Sequence, residues 1–181
     1  IPDASVDMIL CDLPYGTTAC AWDTVLPFEP LWAHYKRVIK PRGAIVLTAS
    51  QPFTSALVMS NVAWFKYEWI WNKRLAGNGI LAGRQPLKIH ESILVFGVDI
   101  DFKPQMRSGI KRPKNGVTDK GGLFGCAASK KTINNQYHPV SIMEYSVAGE
   151  RITRTHPTQK PVALFAYLIR TYTNPGALVL D

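Results

Sequence analysis

Long hydrophobic runs are absent from this sequence, although 46% of its 181 residues are hydrophobic. A helix that crosses a membrane needs about 18 or more consecutive apolar residues, and no such run occurs. The first residues also lack the charged segment, apolar stretch and small-residue cleavage site of a secretory signal. We therefore expect neither membrane insertion nor secretion, and we expect a core of ordinary size.

Cysteine is scarce as well, because the chain holds only Cys11, Cys20 and Cys126. No two of them form a Cys-x-x-Cys pair, and their odd number indicates neither a zinc site nor a disulfide framework. The histidines likewise lack companions at the spacing of metal ligands. We expect a protein without a metal that resides in a reducing cytoplasm.

Acidic residues are outnumbered, with 13 Asp and Glu against 21 Lys and Arg, which gives a net charge of +8. This balance favours a polyanionic partner, because each cation placed on a phosphate releases a condensed counterion. Many basic proteins bind no nucleic acid, so the charge alone leaves the partner open.

The sequence does contain an alternation of apolar strands and amphipathic helices. Strands are predicted over Val6–Cys11 and over residues 44–47, 67–71, 92–96 and 177–180. Helices are predicted over residues 27–39, 51–62 and 161–171. The second helix should begin with Ser50 as its N-cap and Pro52 at its first position. Such alternation is typical of an α/β fold with a mainly parallel sheet and helices on both faces.

Residues 101–154 break this alternation, since they are rich in Gly, Lys, Ser and Asn and show the periodicity of neither helix nor strand. The segment is too long for a simple connection, so it is either a disordered loop or an inserted recognition lobe. Its basic residues are Lys103, Arg107, Lys111, Arg112, Lys114, Lys120, Lys130 and Lys131. Their excess over acidic residues favours contact with phosphates. We therefore divide the chain into residues 1–100, a basic insert over 101–154, and residues 155–181.

The tetrapeptide Asp12-Leu13-Pro14-Tyr15 follows a buried strand directly, at the sheet edge where α/β proteins bind ligands. An exocyclic amine of a nucleobase is a poor nucleophile, so a site must hold its two N–H bonds and aim its lone pair. The carboxylate of Asp12 and the carbonyl of Leu13 can accept those bonds, and Tyr15 offers a ring for stacking an extruded base. Trp22, close to this loop, is the tryptophan that we consider for substrate contact.

The loop resembles a known catalytic signature. Residues 12–16, Asp-Leu-Pro-Tyr-Gly, are similar to the Asp-Pro-Pro-Tyr signature of DNA methyltransferases that modify N6 of adenine or N4 of cytosine. Lys88, His90 and Glu91 before the strand at 93–96 resemble a later motif of that family, and His-Pro-Thr-Gln-Lys-Pro at 156–161 matches another. The order of these motifs, with a recognition insert between them, is that of the family's β subgroup.

The resemblance implies a role for each matching residue. Asp12 and the Leu13 carbonyl would accept the amine hydrogens, and Tyr15 would stack on the flipped base. Leu13 replaces the family's first proline but retains the carbonyl that carries the function. The implied cofactor is S-adenosyl-L-methionine, held by Asp12, Thr158, Lys160 and Asp181, and the implied partner is double-stranded DNA, held by the insert at Lys103, Arg107, Lys111, Arg112, Lys114, Lys130 and Lys131.

The function implied is site-specific methylation of the N6 amine of adenine in DNA, as in bacterial restriction-modification systems and phages. N4 of cytosine is the rival target, and a noncatalytic DNA-binding relative is an alternative of another class. We expect it in the cytoplasm of a bacterial or phage-infected cell, and assembly as a homodimer is left open. The family's Gly-containing cofactor loop does not follow Asp181, which implies a fragment or a shortened relative.

Overall fold

The computed structural model describes residues 1–18, 20–114, 132–146 and 159–181, and for 112–114 and 132–134 the backbone alone. These residues divide into two compact units, one formed by Ile1–Lys103 with Ser141–Asp181 and the other by Pro104–Val140. No helix in the described ranges is long and apolar enough to cross a membrane.

The strands in chain order are β1 (Val6–Cys11), β2 (Ile39–Ala49), β3 (Phe65–Asn72), β4 (His90–Phe96), β5 (Arg107–Lys114), β6 (Thr132–Tyr137), β7 (Ile142–Glu144) and β8 (Val179–Leu180). In the described part of the chain, six of them form one sheet in the order β7-β3-β4-β2-β1-β8. Strand β4 is antiparallel to both of its neighbours, and the remaining pairs are parallel. The predicted α/β fold with a mainly parallel sheet is confirmed.

The reversal of β4 follows from its connection to β3. Residues 73–89 link the two strands without a crossover helix, so β4 returns antiparallel beside β3. The start of β4 therefore lies at the same edge as the ends of β1, β2 and β3. This brings Glu91, the second residue of β4, to the edge where parallel sheets bind ligands.

Helices α1 (Phe28–Val38), α2 (Phe53–Ser60) and α3 (Val162–Tyr172) cover the two faces of the sheet. The first core cluster joins α1 and α2 to one face and includes Ile9, Leu13, Trp32, Leu47, Phe53, Leu57 and Leu94. The second core cluster joins α3 to the other face and includes Met8, Leu10, Val46, Val95, Leu164 and Leu168. Alternate residues of each strand thus serve opposite faces, as buried sheets require.

The start of α2 differs from the prediction. The helix begins at Phe53 with Pro52 in the N-cap position, and no side chain caps it among the described residues. Ser50 contributes its carbonyl, which accepts from the Thr54 N–H at 3.1 Å, while its hydroxyl accepts from the Lys88 ammonium. The predicted N-cap role of Ser50 was wrong, because a distant lysine engages the hydroxyl.

Residues 101–154, whose sequence shows the periodicity of neither helix nor strand, nevertheless contain strands. Strands β5 and β6 pair antiparallel, and β7 pairs with β3 in the main sheet. The side chains of residues 107–111 on β5 are all exposed. A strand that buries neither face has no reason to alternate polar and apolar residues, so its sequence carries no strand pattern.

Candidate active site

The Asp12-Leu13-Pro14-Tyr15 loop leaves the carboxyl end of β1, next to the end of the parallel strand β2. The side chain of Leu13 is 5% exposed and belongs to the first core cluster. The packing of Leu13 in the core therefore holds the loop at its second residue. The polar groups of Asp12 and Tyr15 remain at the edge of the sheet.

A hydroxyl pair orients the Asp12 carboxylate. The Tyr15 hydroxyl lies 2.8 Å from Asp12 Oδ1 and 2.9 Å from Thr48 Oγ1. Thr48, near the end of β2, is fully buried and donates to the same Oδ1 atom. Because Oδ1 is fixed by these two residues, the Oδ2 atom is the one that faces other groups.

Two ammonium groups and two carboxylates form a cluster beside Asp12. Lys160 Nζ lies 3.0 Å from Asp12 Oδ2 and 3.3 Å from Glu91 Oε2, and Lys73 Nζ lies 3.0 Å from Glu91 Oε1. The side chains of Lys160, Glu91 and Lys73 are only 12%, 14% and 17% exposed. Their charges balance, which is a condition for keeping such groups away from water.

The Tyr15 ring packs at the centre of this arrangement. It stacks on Phe53 with ring centroids 5.3 Å apart, and Lys160 Nζ lies 5.5 Å from its centroid. Burial, reinforced by the negative charges of Asp12 and Glu91, raises the pKa of the Tyr15 phenol well above its usual value. Tyr15 therefore acts as a neutral hydroxyl and an aromatic surface, and not as a base.

Asp23 holds the segment that follows the tetrapeptide. Its carboxylate accepts from the backbone N–H groups of Gly16, Thr17 and Thr18 at 2.8, 2.9 and 2.7 Å. The hydrogen bond from the Thr18 side chain, together with these backbone donors, lowers the pKa of Asp23 to about 2. Gly16 has φ +67°, a left-handed conformation that glycine adopts without strain. One buried carboxylate thus fixes the turn after Tyr15.

These residues surround a pocket of about 550 Å³. Its wall consists of residues 12–15, 17–18 and 22–23, the end of β3 and the loop after it, and Glu91, Gln159 and Lys160. Trp22 is 59% exposed and contributes an aromatic surface at this wall. The pocket combines acceptors, a cation and aromatic rings, which are the groups needed to bind a planar base with an amine.

The structure brings together the tetrapeptide and Lys160, which lie at distant positions in the sequence. Asp181 follows β8, which pairs with β1, so it stands at the same sheet edge. Burial, and to a smaller degree the Asp181 carboxylate, raises the pKa of the Cys11 thiol and the Tyr35 phenol. Thr158 lies outside the described residues.

The basic residues predicted to bind DNA fall in different places. Lys103 borders a second pocket with Asp7, at the opposite edge of the sheet from Asp12. Arg107 and Lys111 are exposed on β5, and the Arg107 guanidinium donates to the His138 carbonyl at 3.3 Å. Arg112 and Lys114 follow on β5, whereas Lys130 and Lys131 lie outside the described residues. Within the described ranges, no group of three or more His, Cys, Asp or Glu could hold a metal ion.

Sequence reasoning did not identify Thr48, Lys73 and Asp23. A threonine near the end of an otherwise apolar strand, parallel to β1, is the signal that could have indicated Thr48. The contacts of Lys73 and Asp23 depend on loop geometry that a pattern of residue types does not contain. Glu91 belonged to a recognised motif, but the structure adds its partners.

Comparisons with known proteins identify the family of the chain. The sequence profile of a family described as DNA methylase, for N6 and N4 methyltransferases, matches residues 6–181. The chain is 26% identical to the type II methyltransferase M.HpaI of Haemophilus parainfluenzae and 25% identical to the DNA adenine methyltransferase YhdJ of Escherichia coli strain K12. All of the chain aligns in both cases, and it spans 58% and 65% of the lengths of those relatives.

Solved structures share the fold. The complex of M1.HpyAVI with SAM superposes with a TM-score of 0.55 at 22% identity, over 97% of this chain and 71% of that one. The cytosine-N4-specific PvuII DNA methyltransferase superposes with a TM-score of 0.60 at 12% identity, over 98% and 67%. The fold is therefore that of these methyltransferases, and the profile match over nearly the whole sequence shows that the chain belongs to the N6/N4 DNA methylase family.

Proposed function

We propose that the protein to which this chain belongs transfers a methyl group from S-adenosylmethionine to the N6 amine of adenine at a specific site in double-stranded DNA. The observation that carries this proposal is the Asp12 carboxylate, fixed through Oδ1 by two hydroxyls and turned through Oδ2 towards a pocket that a base can enter. The similarity to YhdJ, an adenine methyltransferase, favours adenine as the target.

The base-binding groups would act by orientation. Asp12 Oδ2 and the Leu13 carbonyl accept the two amine hydrogens, which aims the nitrogen lone pair at the methyl donor. Asp12 need not remove a proton before transfer, because its negative charge stabilises the positive charge that develops on the amine. Tyr15, braced by Phe53, supplies the ring against which the base stacks.

The described residues also fit the methyl donor. S-adenosylmethionine supplies an electrophilic methyl group and ends in an amino acid, which carries an ammonium and a carboxylate. Lys160 offers a nearly buried cation for the carboxylate, and Glu91 offers an anion for the ammonium. Glu91 Oε2 is buried and faces the Lys160 ammonium at 3.3 Å, so Lys160 would have to move for the ligand ammonium to reach it. We assign Thr158, two positions before Lys160, and Asp181, at the same sheet edge as Asp12, as further cofactor contacts.

Lys160 would connect the groups that bind the base with the groups that bind the methyl donor. Its ammonium contacts Asp12 Oδ2, the acceptor that the target amine requires, so the lysine must leave that atom when a base enters. The carboxylate of the methyl donor gives Lys160 a new partner, and Glu91 keeps the lysine within reach of it. We therefore expect the methyl donor to bind before the base.

We assign contact with the DNA phosphates to the basic insert, through Lys103, Arg107, Lys111, Arg112, Lys114, Lys130 and Lys131. We further propose that residues 101–154 read the target sequence. The activity would operate in the cytoplasm of a bacterial or phage-infected cell, where DNA is accessible.

The test uses the complete reading frame that encodes this chain, expressed and incubated with unmethylated DNA and S-adenosylmethionine. The DNA is digested to nucleosides, and the modified base is identified by mass. N6-methyladenine is the expected product. N4-methylcytosine would overturn the choice of base alone, and the absence of both products would overturn the proposed activity.

A further inference from the structure

The loop between β3 and β4, residues 73–89, carries an apolar side chain that none of the described residues covers. Ile80 is 100% exposed at the centre of the short 3-10 turn Gly79–Leu81. A fully exposed isoleucine lacks the stabilisation that burial of its side chain would give. Its position is informative because hydrogen bonds hold the rest of the turn.

Hydrogen bonds across the loop fix the turn beneath Ile80. Asn78 Oδ1 accepts from the Lys88 N–H at 2.7 Å, and Asn78 Nδ2 donates to the Pro86 carbonyl at 3.3 Å. The Gly77 N–H donates to the Lys88 carbonyl at 3.2 Å, and the Leu81 N–H donates to the Asn78 carbonyl at 2.9 Å. Ile80 is therefore exposed on a turn that is held by hydrogen bonds, two of which are made by the Asn78 side chain.

The loop begins at the rim of the catalytic pocket. Leu75, Ala76 and Gly77 belong to the pocket wall, together with Asp12. Two residues separate Gly77 from Ile80, and the three Cα–Cα steps between them span at most about 10 Å. The apolar tip consequently lies within about 10 Å of the pocket wall, a distance of roughly three base steps along a DNA strand.

The charge of the loop identifies the kind of partner. Residues 73–90 contain no Asp or Glu, whereas Lys73, Arg74, Arg84 and Lys88 are cations. Lys73 and Arg74 pair with Glu91 and Glu144. Lys88 donates to Ser50, and the Arg84 side chain is exposed on the loop. An apolar tip on a basic, acid-free loop suits a duplex, whose interior is apolar and whose surface is anionic.

We infer that Ile80 is a wedge that enters the base stack of DNA and occupies the place of the extruded target base. This inference rests on the proposed function, because extrusion is needed when chemistry takes place on an exocyclic amine. Extrusion leaves an apolar gap between neighbouring base pairs. An inserted aliphatic side chain fills that gap and hinders the return of the base.

The experiment uses a duplex of the methylated site with 2-aminopurine in place of the target base, because the fluorescence of 2-aminopurine rises when it leaves the stack. Ile80→Ala, Ile80→Leu and Met59→Ala are compared with the unaltered protein at saturating concentration. Met59 is the matched control, since it is 73% exposed on α2. Thermal unfolding of each variant confirms an intact fold.

We expect Ile80→Ala to reduce the fluorescence increase about fivefold, and Ile80→Leu and Met59→Ala to stay within about twofold of the unaltered protein. Replacing the nucleotide opposite 2-aminopurine by an abasic residue removes the pairing that the wedge helps to break. On that duplex, Ile80→Ala should recover most of the signal.

Three results would overturn the wedge alone. The first is an unchanged signal in Ile80→Ala. The second is weaker DNA binding by that variant with a full signal at saturation, as for an ordinary DNA contact. The third is a full signal in Ile80→Ala combined with the loss of an oligomer that the unaltered protein forms, which would show that Ile80 contacts a second copy of the protein. An unaltered protein that neither methylates DNA nor extrudes the base would overturn the proposed function and the wedge together.

Discussion

The two edges of the main sheet carry ion pairs of the same chemistry in opposite surroundings. At the edge that carries Asp12 and the proposed active site, called the catalytic edge, Lys160 and Glu91 expose 12% and 14% of their side chains. At the other edge, Arg42 and Asp99 expose 61% and 75%. Exposed pairs contribute little to stability and are screened by salt, whereas partly buried pairs bear a desolvation cost. A charged cluster kept at that cost, in a pocket wall, indicates a role beyond stability.

The largest effect should come from removing the carboxylate at the catalytic edge. Asp12→Ala should lower the rate of methyl transfer by about a thousandfold or more, because an oriented acceptor and its charge are both lost. Affinity for DNA should change little. The measurement is transfer of radiolabelled methyl groups by the complete protein, with Asp99→Ala at the opposite edge as the matched control. Substantial turnover by Asp12→Ala would refute the role of this carboxylate.

The second-largest effect should be on the free energy of unfolding, which should fall more when an ion pair of the catalytic edge is broken than when an exposed pair is broken. Lys160→Ala leaves Glu91 and Asp12 without their shared cation, so the free energy of unfolding should fall by about 2 kcal/mol. The control is Arg37→Ala, which breaks the exposed pair with Asp3 and should cost less than about 0.5 kcal/mol. Urea unfolding at neutral pH measures both values.

A double variant sharpens this result. Lys160→Ala alone leaves the cluster with two carboxylates and one ammonium, whereas adding Glu91→Gln leaves Asp12 and Lys73, whose charges are equal and opposite. The two substitutions should therefore cost less together than the sum of their separate effects. Strict additivity would show that the buried cluster is no more coupled than a surface pair.

A smaller, pH-dependent effect should mark Asp23. Its pKa is lowered to about 2 in the folded protein from an ordinary value of 3.8, so its contribution is complete above the ordinary value and is lost as pH falls towards 2. Asp23→Asn should therefore destabilise the protein at pH 6, and the difference should shrink between about pH 4 and 2. Urea midpoints across this range provide the measurement, with Asp3→Asn as the exposed control. A difference that does not change with pH would contradict the assignment.

The smallest effect concerns the basic strand β5. Replacing Lys111, Arg112 and Lys114 by Ser should reduce the slope of log affinity against log salt by about one for each phosphate contact that is lost. DNA binding is titrated from low to physiological salt. Replacing Arg37, Lys40 and Arg42 by Ser, all outside the insert, provides the comparison. Equal slopes for the unaltered protein and the β5 variant would show that these three side chains contact solvent and not DNA phosphates.

Much of the catalytic edge could be predicted from the sequence because local signals define it. The apolar run that ends at Cys11 indicates a buried strand, and the position of Asp12 after it indicates the ligand-binding edge. The family motif then assigned roles to Tyr15 and Lys160. Their contact with one another, however, depends on how β8 and α3 return to β1, which no local pattern contains.

The remaining features could not be predicted, for physical reasons that differ between residues. Ser50 is a favourable N-cap by residue type, but Lys88 takes its hydroxyl. Strand β5 has exposed side chains, so burial imposed no alternation on its sequence. Glu91 reaches the pocket because β4 runs backwards, a property of topology that residue types do not specify.

The burial of Leu13 determines how substitutions in the core would affect the backbone of the Asp12–Tyr15 loop. A proline ring would hold the backbone of the catalytic loop by a covalent restraint, independent of its neighbours. Here the restraint is the packing of an aliphatic side chain in the first core cluster. Packed contacts transmit small shifts. A loss of volume in this cluster, at Leu57 for example, would therefore move the Leu13 carbonyl, the proposed acceptor of an amine hydrogen, through packing alone.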